Sequence, residues 1–284
     1  VYIFRKNEDE NTYKSCVRRQ EDFECVGRID KNNFREFGFI LNGVSDKELV
    51  LGKKIRNSGK FLNDYVSNQR GAIYQKEVSE KPSDFKVLGG KQIGWYYIKT
   101  GIKGYINKKN VTDEKAFIKK GSIFVQRLVA HIENPIDHIM ITAAMPEDDI
   151  ASTHIIVDTI NQLQNTSGIP SEVLLSVINS RLVSWYAYRF IFGKAIRTMQ
   201  FDNPVSSRIP IPELENKNCN ELKKLVIQMI SLQKELHEGS LSGNKKESLE
   251  QQIKNIDYQI DELVFDLYGL RKEDRDIVRS GMPG

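Results

Sequence analysis

The side chains of this sequence best suited to chemistry are amines, guanidinium groups and amides, which donate hydrogen bonds to anionic oxygens. They are concentrated between Gly52 and Arg127, where seventeen Lys and Arg residues stand against six Asp and Glu residues. This window has a net charge of +11 and the whole chain has +4, so the residues outside the window sum to −7. A basic block in an otherwise acidic chain is typical of a surface that binds a polyanion, most often a nucleic acid. The alternative is a lysine-rich surface that is only solvated.

Donors that suit phosphates and base edges recur on predicted loops above a sheet. Arg and Lys donate to phosphate and guanine oxygens, and Gln and Asn offer a donor and an acceptor together. We expect the cations of the window to converge in one groove wide enough for a double helix, with double-stranded DNA as the partner. The candidate DNA-binding residues are Gln69, Arg70, Lys91, Gln92, Lys99, Lys103, Lys108, Lys109, Gln126, Arg127, Lys194 and Arg197.

Residues that could support catalysis or hold a metal are sparse. The acidic run Glu147–Asp149 could bind Mg²⁺ in a nuclease, but no Asp…Glu-x-Lys group follows it, so a solvated loop is favoured. Three histidines lack the spacing of a metal-binding pair: His131, His138 and His154. The sequence contains neither a phosphate-binding glycine motif nor the Asn/Asp-Pro-Pro-aromatic loop of an adenine methyltransferase. We predict no catalytic centre, metal or cofactor in this chain.

Length and composition limit the class of protein. The 284 residues suit one large domain or two smaller ones. Cys16, Cys25 and Cys219 form no CxxC pair, which argues for a reducing compartment and against a disulfide framework. No run of eighteen apolar residues predicts a membrane helix. We expect a cytoplasmic protein without a membrane partner and, because the chain starts at Val1 within a strand-like run, a fragment of a longer one.

The elements that must position the basic residues fall into three predicted regions. Residues 1–37 form a hairpin-like piece with strands at Val1–Arg5, Thr12–Arg18 and Phe23–Ile29. Residues 38–212 open with a helix, capped by Ser45 and Glu48, that runs to about Arg56. Short β-type runs separated by glycines follow: Ala72–Gln75, Phe85–Leu88, Ile93–Ile98, Ser122–Ala130, His138–Thr142 and His154–Val157.

Two helical segments complete the pattern. One helix begins near Pro170 and has an apolar face formed by Leu174, Ile178, Leu182 and Trp185. Residues 213–284 then carry two heptad seams: Leu222, Leu225, Met229, Leu232 and Leu236, and, after a Gly/Ser/Asn turn, Leu249, Ile253, Ile256, Ile260, Leu263 and Leu267. This pattern predicts a long antiparallel helical hairpin, and its net acidic charge makes it a poor DNA surface. The predicted fold class is α+β: a strand-rich recognition domain with a mixed sheet, followed by the hairpin arm.

Several short motifs, in this order, resemble a known family: Asn68–Gly71, Phe124–Arg127, Ile178–Leu182, Ile196–Thr198, Arg208–Pro212 and Tyr268–Leu270. The chain resembles the target-recognition domain of restriction–modification proteins. It is similar to the TaqI-like C-terminal specificity domain of N6-adenine DNA methyltransferases and to type I specificity subunits. The resemblance covers roughly residues 61–270. Only one recognition segment is present, so the chain is not a complete two-half specificity subunit.

The resemblance implies a module that reads a specific duplex sequence and positions a methyltransferase, or a nuclease, of the same parent protein. Residues 1–37 would then trail a methyltransferase domain that uses S-adenosylmethionine, and the arm would be a spacer or dock on that enzyme. Two other functions are left open: a metal-dependent nuclease that uses Glu147–Asp149, and a coiled-coil adaptor that forms a homodimer through the arm.

Overall fold

The computed structural model describes residues 11–19, 22–197, 199–214, 216–239 and 241–283. The predicted strand Val1–Arg5 lies outside the described residues, as does Thr198. The strands are β1 Thr12–Arg19, β2 Asp22–Asp30, β3 Gly59–Phe61, β4 Val66–Arg70, β5 Phe85–Leu88, β6 Gly104–Ile106, β7 Ile123–Gln126, β8 His131–Ile132, β9 His138–Ile139, β10 Ala143–Ala144, β11 His154–Ile156, β12 Ile160–Asn165 and β13 Pro210–Pro212. The helices are α1 Asn33–Phe37, α2 Asp46–Arg56, α3 Ile150–Thr153, α4 Ser171–Asn179, α5 Arg181–Phe190, α6 Asn203–Ser206, α7 Asn216–Glu238, α8 Gly243–Leu267 and α9 Lys272–Ser280. The α+β prediction is confirmed.

Two small sheets form the centre of the strand-rich part of the molecule, and the other described strands pair as β1-β2, β3-β13 and β8-β9. An antiparallel sheet has the order β10-β7-β12-β4, and a mixed sheet has the order β11-β5-β6 with β11 parallel to β5. Only residues 157–159 separate β11 from β12, so the chain crosses from one sheet to the other in a single short turn. This crossing places Asp158 and Thr159 between the sheets.

The central strand β12 was not predicted. Its residues Asn161 and Gln162 are both buried, although they are amides. The Gln162 side chain accepts from the Lys119 backbone at 2.7 Å, and Asn161 donates to the Asn68 side chain at 3.0 Å. These bonds engage the Gln162 oxygen and the Asn161 amide nitrogen inside the sheet. Because both residues are polar, the strand lacks the hydrophobic alternation by which strands are predicted.

Some of the other local predictions are confirmed and others are wrong. The Ser45–Glu48 capping box and the helix to Arg56 are confirmed. The runs Ala72–Gln75 and Ile93–Ile98 are wrong as strands, since each contributes only an isolated bridge. The single helix predicted from Pro170 is two helices, α4 and α5, divided at Ser180. The Ser180 hydroxyl donates to the Val177 carbonyl at 2.7 Å and accepts from the Val183 amide at 3.2 Å, so it caps the second helix.

The helical hairpin is confirmed as α7 and α8, which pack against each other. It is not a free-standing arm, because α7 also packs on α4 and α8 also packs on α5. Leu222 and Met229 of α7 belong to the same buried cluster as Leu174 of α4. The face that would form a homodimer is thus used within the chain, and a further helix, α9, packs on α5.

One hydrophobic core runs through all three predicted regions. It includes Ile29 of the hairpin, Leu163 of the central sheet and Val264 of the arm. The boundaries at residues 37 and 212 stay predictions. None of the helices in the described segments combines the length and apolarity needed to cross a bilayer.

Candidate nucleic-acid interface

Five of the candidate residues line one open depression at the junction of the two sheets. Its volume is about 840 Å³, and its lining residues are Gly89, Gly90, Lys91, Gln92, Lys99, Ile102, Lys103, Gln126, Leu128 and Thr159. We call it the cationic depression. Its walls come from the turn after β5, the loop before β6, the end of β7 and the turn before β12.

The turn after β5 is fixed by a close approach of the backbone. The Gly90 amide donates to the Thr159 hydroxyl at 2.9 Å. A Cβ atom at Gly90 would lie 2.8 Å from the Thr159 carbonyl oxygen, so a larger residue would push the turn away from β12. The loop before β6 joins the same assembly, because the Lys99 amide donates to the Gln92 carbonyl at 2.7 Å and the Lys103 amide donates to the Val87 carbonyl at 2.8 Å.

Three ammonium groups share the cationic depression. Lys91, Lys99 and Lys103 are all exposed to solvent. Among the described residues that line the depression there is no Asp or Glu. Like charges held together without a carboxylate between them create a positive potential, which attracts anions such as phosphates.

Two amide side chains in the depression are already oriented by the backbone. The Gln92 side-chain oxygen Oε1 accepts from the Gly89 amide at 3.0 Å, and the Gln126 nitrogen Nε2 donates to the Ile93 carbonyl at 2.6 Å. The other polar atom of each amide, Nε2 of Gln92 and Oε1 of Gln126, has no hydrogen-bond partner among the described residues. The pair therefore offers one donor and one acceptor to a ligand.

Asp158, next to the depression, accepts hydrogen bonds from two polar side chains and is linked through one of them to Lys103. The Asp158 carboxylate accepts from Arg70 Nη2 at 2.5 Å and from Gln75 Nε2 at 2.6 Å, and Gln75 Oε1 in turn accepts from the Lys103 ammonium. Burial raises the pKa of Asp158, but the hydrogen bonds from Gln75 and Arg70 outweigh it and lower the pKa below its ordinary value. Arg70 thus has a structural partner at the edge of the site.

Arg127 is also engaged in the fold. Its Nε and Nη2 atoms lie 2.9 and 3.0 Å from the two carboxylate oxygens of Asp202, and Nη2 donates to Gln200 at 2.5 Å. These bonds tie the end of β7 to the segment that precedes α6. Gln69 lies on β4, half-buried, and its Cα pairs with that of Gln162 in the sheet.

The remaining candidates lie outside the cationic depression. Lys108 and Lys109 are exposed on the turn after β6, at the opposite end of that strand from Lys103. The Lys194 ammonium donates to the Gly43 carbonyl, next to α2. Arg197 is exposed in the loop between α5 and α6.

The expectation of one groove for the whole basic window is therefore corrected. Three lysines of the window share the depression, but the cations of α2 do not. Lys53 and Arg56 lie 3.6 and 3.9 Å from Glu36, and Lys54 lies 2.8 Å from Asp274. They bind acids of neighbouring elements, so the sequence charge overstated the cationic surface.

Sequence reasoning missed several residues of the depression, above all Thr159, Ile102 and Leu128. Thr159 follows an acid in a turn between two apolar runs, which is a weak signal for a site between sheets. Leu128 is an apolar residue with 58% of its surface exposed, and the sequence pattern cannot reveal that exposure.

The end of α7 contacts Tyr97, which lies two residues before Lys99 of the depression. The Tyr97 ring stacks on the His237 ring, with centroids 4.4 Å apart and an interplanar angle of 4°. Burial lowers the pKa of His237, and the charges of Lys99 and Lys246 lower it further. The arm therefore contacts the segment that leads to Lys99 through a stacked aromatic pair.

The acidic run and the histidines have separate partners. Glu147 lies 2.6 Å from the Lys234 ammonium, and Asp148 lies 3.0 Å from that of Lys120. Each histidine has its own neighbour: His131 has Asp137, His138 has the Ile136 carbonyl and His154 has Thr153. In the part of the chain that the structure describes, no three His, Cys, Asp or Glu side chains converge in a way that could hold a metal ion.

Comparison with known proteins gives similarity at the level of structure. No protein-family model matches the sequence, and no curated protein matches it. Among solved structures, the chain is similar to the type IIG restriction endonuclease BpuSI, with 10% sequence identity and a TM-score of 0.40. The aligned region covers 86% of this chain and 36% of that structure, so the chain spans little more than a third of the restriction endonuclease.

Proposed function

We propose that this chain is a sequence-recognition module that binds double-stranded DNA through the cationic depression. The observation that carries the proposal is the set of Lys91, Lys99 and Lys103 in one open depression whose described lining includes no carboxylate. Lysines suit phosphates as mobile point charges, and the adjacent amides suit base edges.

The order of the short sequence motifs supports a wider proposal about the parent protein. It supports a module of a restriction–modification enzyme, with an N6-adenine methyltransferase of the same parent protein as its partner. That partner would bind S-adenosylmethionine and carry the catalytic residues. In this arrangement the acidic arm contacts the enzyme, because its negative charge disfavours DNA. The junction of the two sheets, which carries the cationic depression, contacts the duplex.

Charge reversal in the depression tests the proposal. The triple variant Lys91→Glu, Lys99→Glu, Lys103→Glu should weaken binding to a fluorescein-labelled random-sequence duplex by roughly 10- to 100-fold at about 100 mM salt. The slope of log K against log salt should become less steep by about 0.9 for each DNA phosphate that the variant no longer neutralises. Fluorescence anisotropy between about 50 and 200 mM salt measures both quantities.

The matched control carries the same change of charge elsewhere in the basic window. Lys76, Lys81 and Lys115 are exposed and do not line the depression. Their triple change to Glu should alter the affinity by no more than about two-fold, because none of the three side chains lines the depression and salt screens charges outside the contact surface. Equal decreases in the two triple variants would refute the assignment to this depression, and no binding by the unmodified chain would refute DNA recognition.

A further inference from the structure

Leu128 is an exposed apolar side chain in an otherwise cationic site. It has 58% of its surface exposed and it lines the depression, as Ile102 also does. Single exposed apolar residues are common on protein surfaces. This one lies beside the three lysines and the two oriented amides, so any duplex held by those lysines would meet it.

The backbone holds Leu128 firmly in this place. Leu128 forms an isolated antiparallel bridge with Gln200, and the neighbouring residues Arg127 and Val129 bond to Phe201 and Met199. The side chain is thus presented by a bonded segment that directly continues β7. A preorganised apolar group loses little conformational freedom when a partner covers it.

Leu128 and the two amides beside it offer a donor, an acceptor and an apolar group to the edge of a base pair. In the major groove an A·T pair presents an acceptor and a donor on adenine, and an acceptor and a methyl group on thymine. The depression presents the Gln92 Nε2 donor, the Gln126 Oε1 acceptor and the Leu128 methyl groups. A G·C pair offers no methyl group to an apolar partner, so the apolar side chain favours A·T.

We propose that the cationic depression reads the major-groove edge of an A·T base pair, with Leu128 in contact with the thymine 5-methyl group and Gln92 and Gln126 on the polar atoms. This inference rests on the proposed function, and it names the base pair that the same site distinguishes. Leu128 is then a specificity-determining residue, whereas the three lysines supply affinity without sequence preference.

Removal of one methyl group from the DNA tests the contact directly. The preferred duplex is first selected from a random pool with the unmodified chain, and each thymine in it is then replaced by uracil in turn. One replacement should weaken binding by roughly four-fold, the value of one buried methyl group. Leu128→Ala should bind the thymine duplex about as weakly as the unmodified chain binds the uracil duplex, and should not distinguish the two.

Two further variants separate this contact from a general disruption of structure. Leu128→Met keeps an apolar side chain and should retain sensitivity to the methyl group. Ile73→Ala removes another exposed apolar residue, 71% exposed and outside the depression, and should leave both affinities unchanged.

The outcomes distinguish the two proposals. If no duplex binds, the proposed function fails. If the duplex binds with the expected salt dependence, any of three results would overturn this inference alone. Selection enriches no sequence, uracil replaces every thymine at unchanged affinity, or Leu128→Ala keeps its sensitivity to the thymine methyl group. Leu128 would then be free for contact with a protein partner.

Discussion

The cationic depression and the junction between the arm and α5 hold their charges in opposite ways. At the junction the Arg181 guanidinium lies 2.7 Å from Asp257 and also bonds to Asp261, and all three side chains are largely buried. We call these three residues the arm cluster. In the depression, Lys91, Lys99 and Lys103 are exposed and no acid lines the wall among the described residues.

The difference indicates which charges support the fold and which are available to a partner. Charges removed from water must be paired, because an isolated buried ion is very costly. Exposed cations remain solvated without an acidic partner and can bind phosphates. Burial and pairing, rather than net charge, therefore separate the charges that hold this fold from the charges left open to a partner.

Breaking the arm cluster should give the largest effect on stability. Arg181→Met leaves Asp257 and Asp261 buried without their cation, which should lower the free energy of unfolding by about 3–5 kcal/mol. Urea unfolding followed by circular dichroism measures this change. Lys120→Met removes the cation of an exposed pair with Asp148, with side chains 82% and 72% exposed, and should leave the unfolding midpoint almost unchanged. Similar decreases in both variants would contradict the distinction.

The pH dependence of the arm cluster should be the next largest effect. Burial and the neighbouring Asp261 raise the pKa of Asp257 from 3.8 to about 6, although Arg181 lowers it. A raised pKa in the folded state means that folding favours the protonated carboxyl. Its contribution is fully present below about pH 3.8 and is lost as the pH rises through about 6.

Asp257→Asn isolates this contribution. Between about pH 7.5 and 4.5 the unmodified chain should gain stability relative to the variant, on the order of 2 kcal/mol. Urea unfolding at a series of pH values gives the difference between the two curves. Curves that stay parallel through pH 6 would show that Asp257 does not take up a proton on folding.

The sequence revealed those parts of this comparison that depend on local spacing. The heptad positions from Leu222 to Leu267 and the Ser45–Glu48 capping box are set by residues three or four apart, and both are observed. The α+β class follows from the same signals. Local rules failed at Ser180, where a hydroxyl that caps α5 ends a helix that the apolar pattern would continue.

The candidate site depends on contacts between distant residues, which the sequence does not encode by spacing. Gly90 meets Thr159, 69 positions away, and Arg70 meets Asp158, 88 positions away. Charge counting found the lysines of the depression, but it could not exclude Lys54, whose partner Asp274 lies 220 positions further on. Which cations are paired is a property of the tertiary fold.

The smallest expected effect on stability sharpens the comparison from the other side. The triple variant Lys91→Gln, Lys99→Gln, Lys103→Gln should change the free energy of unfolding by less than about 0.5 kcal/mol, because exposed residues away from buried networks contribute little. The variant loses the hydrogen bond from the Lys103 ammonium to the exposed Gln75 side chain. Removal of the repulsion among the three lysines partly offsets this loss. DNA affinity measured on the same preparation should nevertheless fall, and its salt dependence should weaken.

A decrease in stability above about 2 kcal/mol would place these lysines with the arm cluster, as groups that hold the fold. Weak DNA binding by the variant would then reflect unfolding. Measuring DNA affinity and stability on one preparation therefore distinguishes lysines that bind DNA from lysines that stabilise the fold.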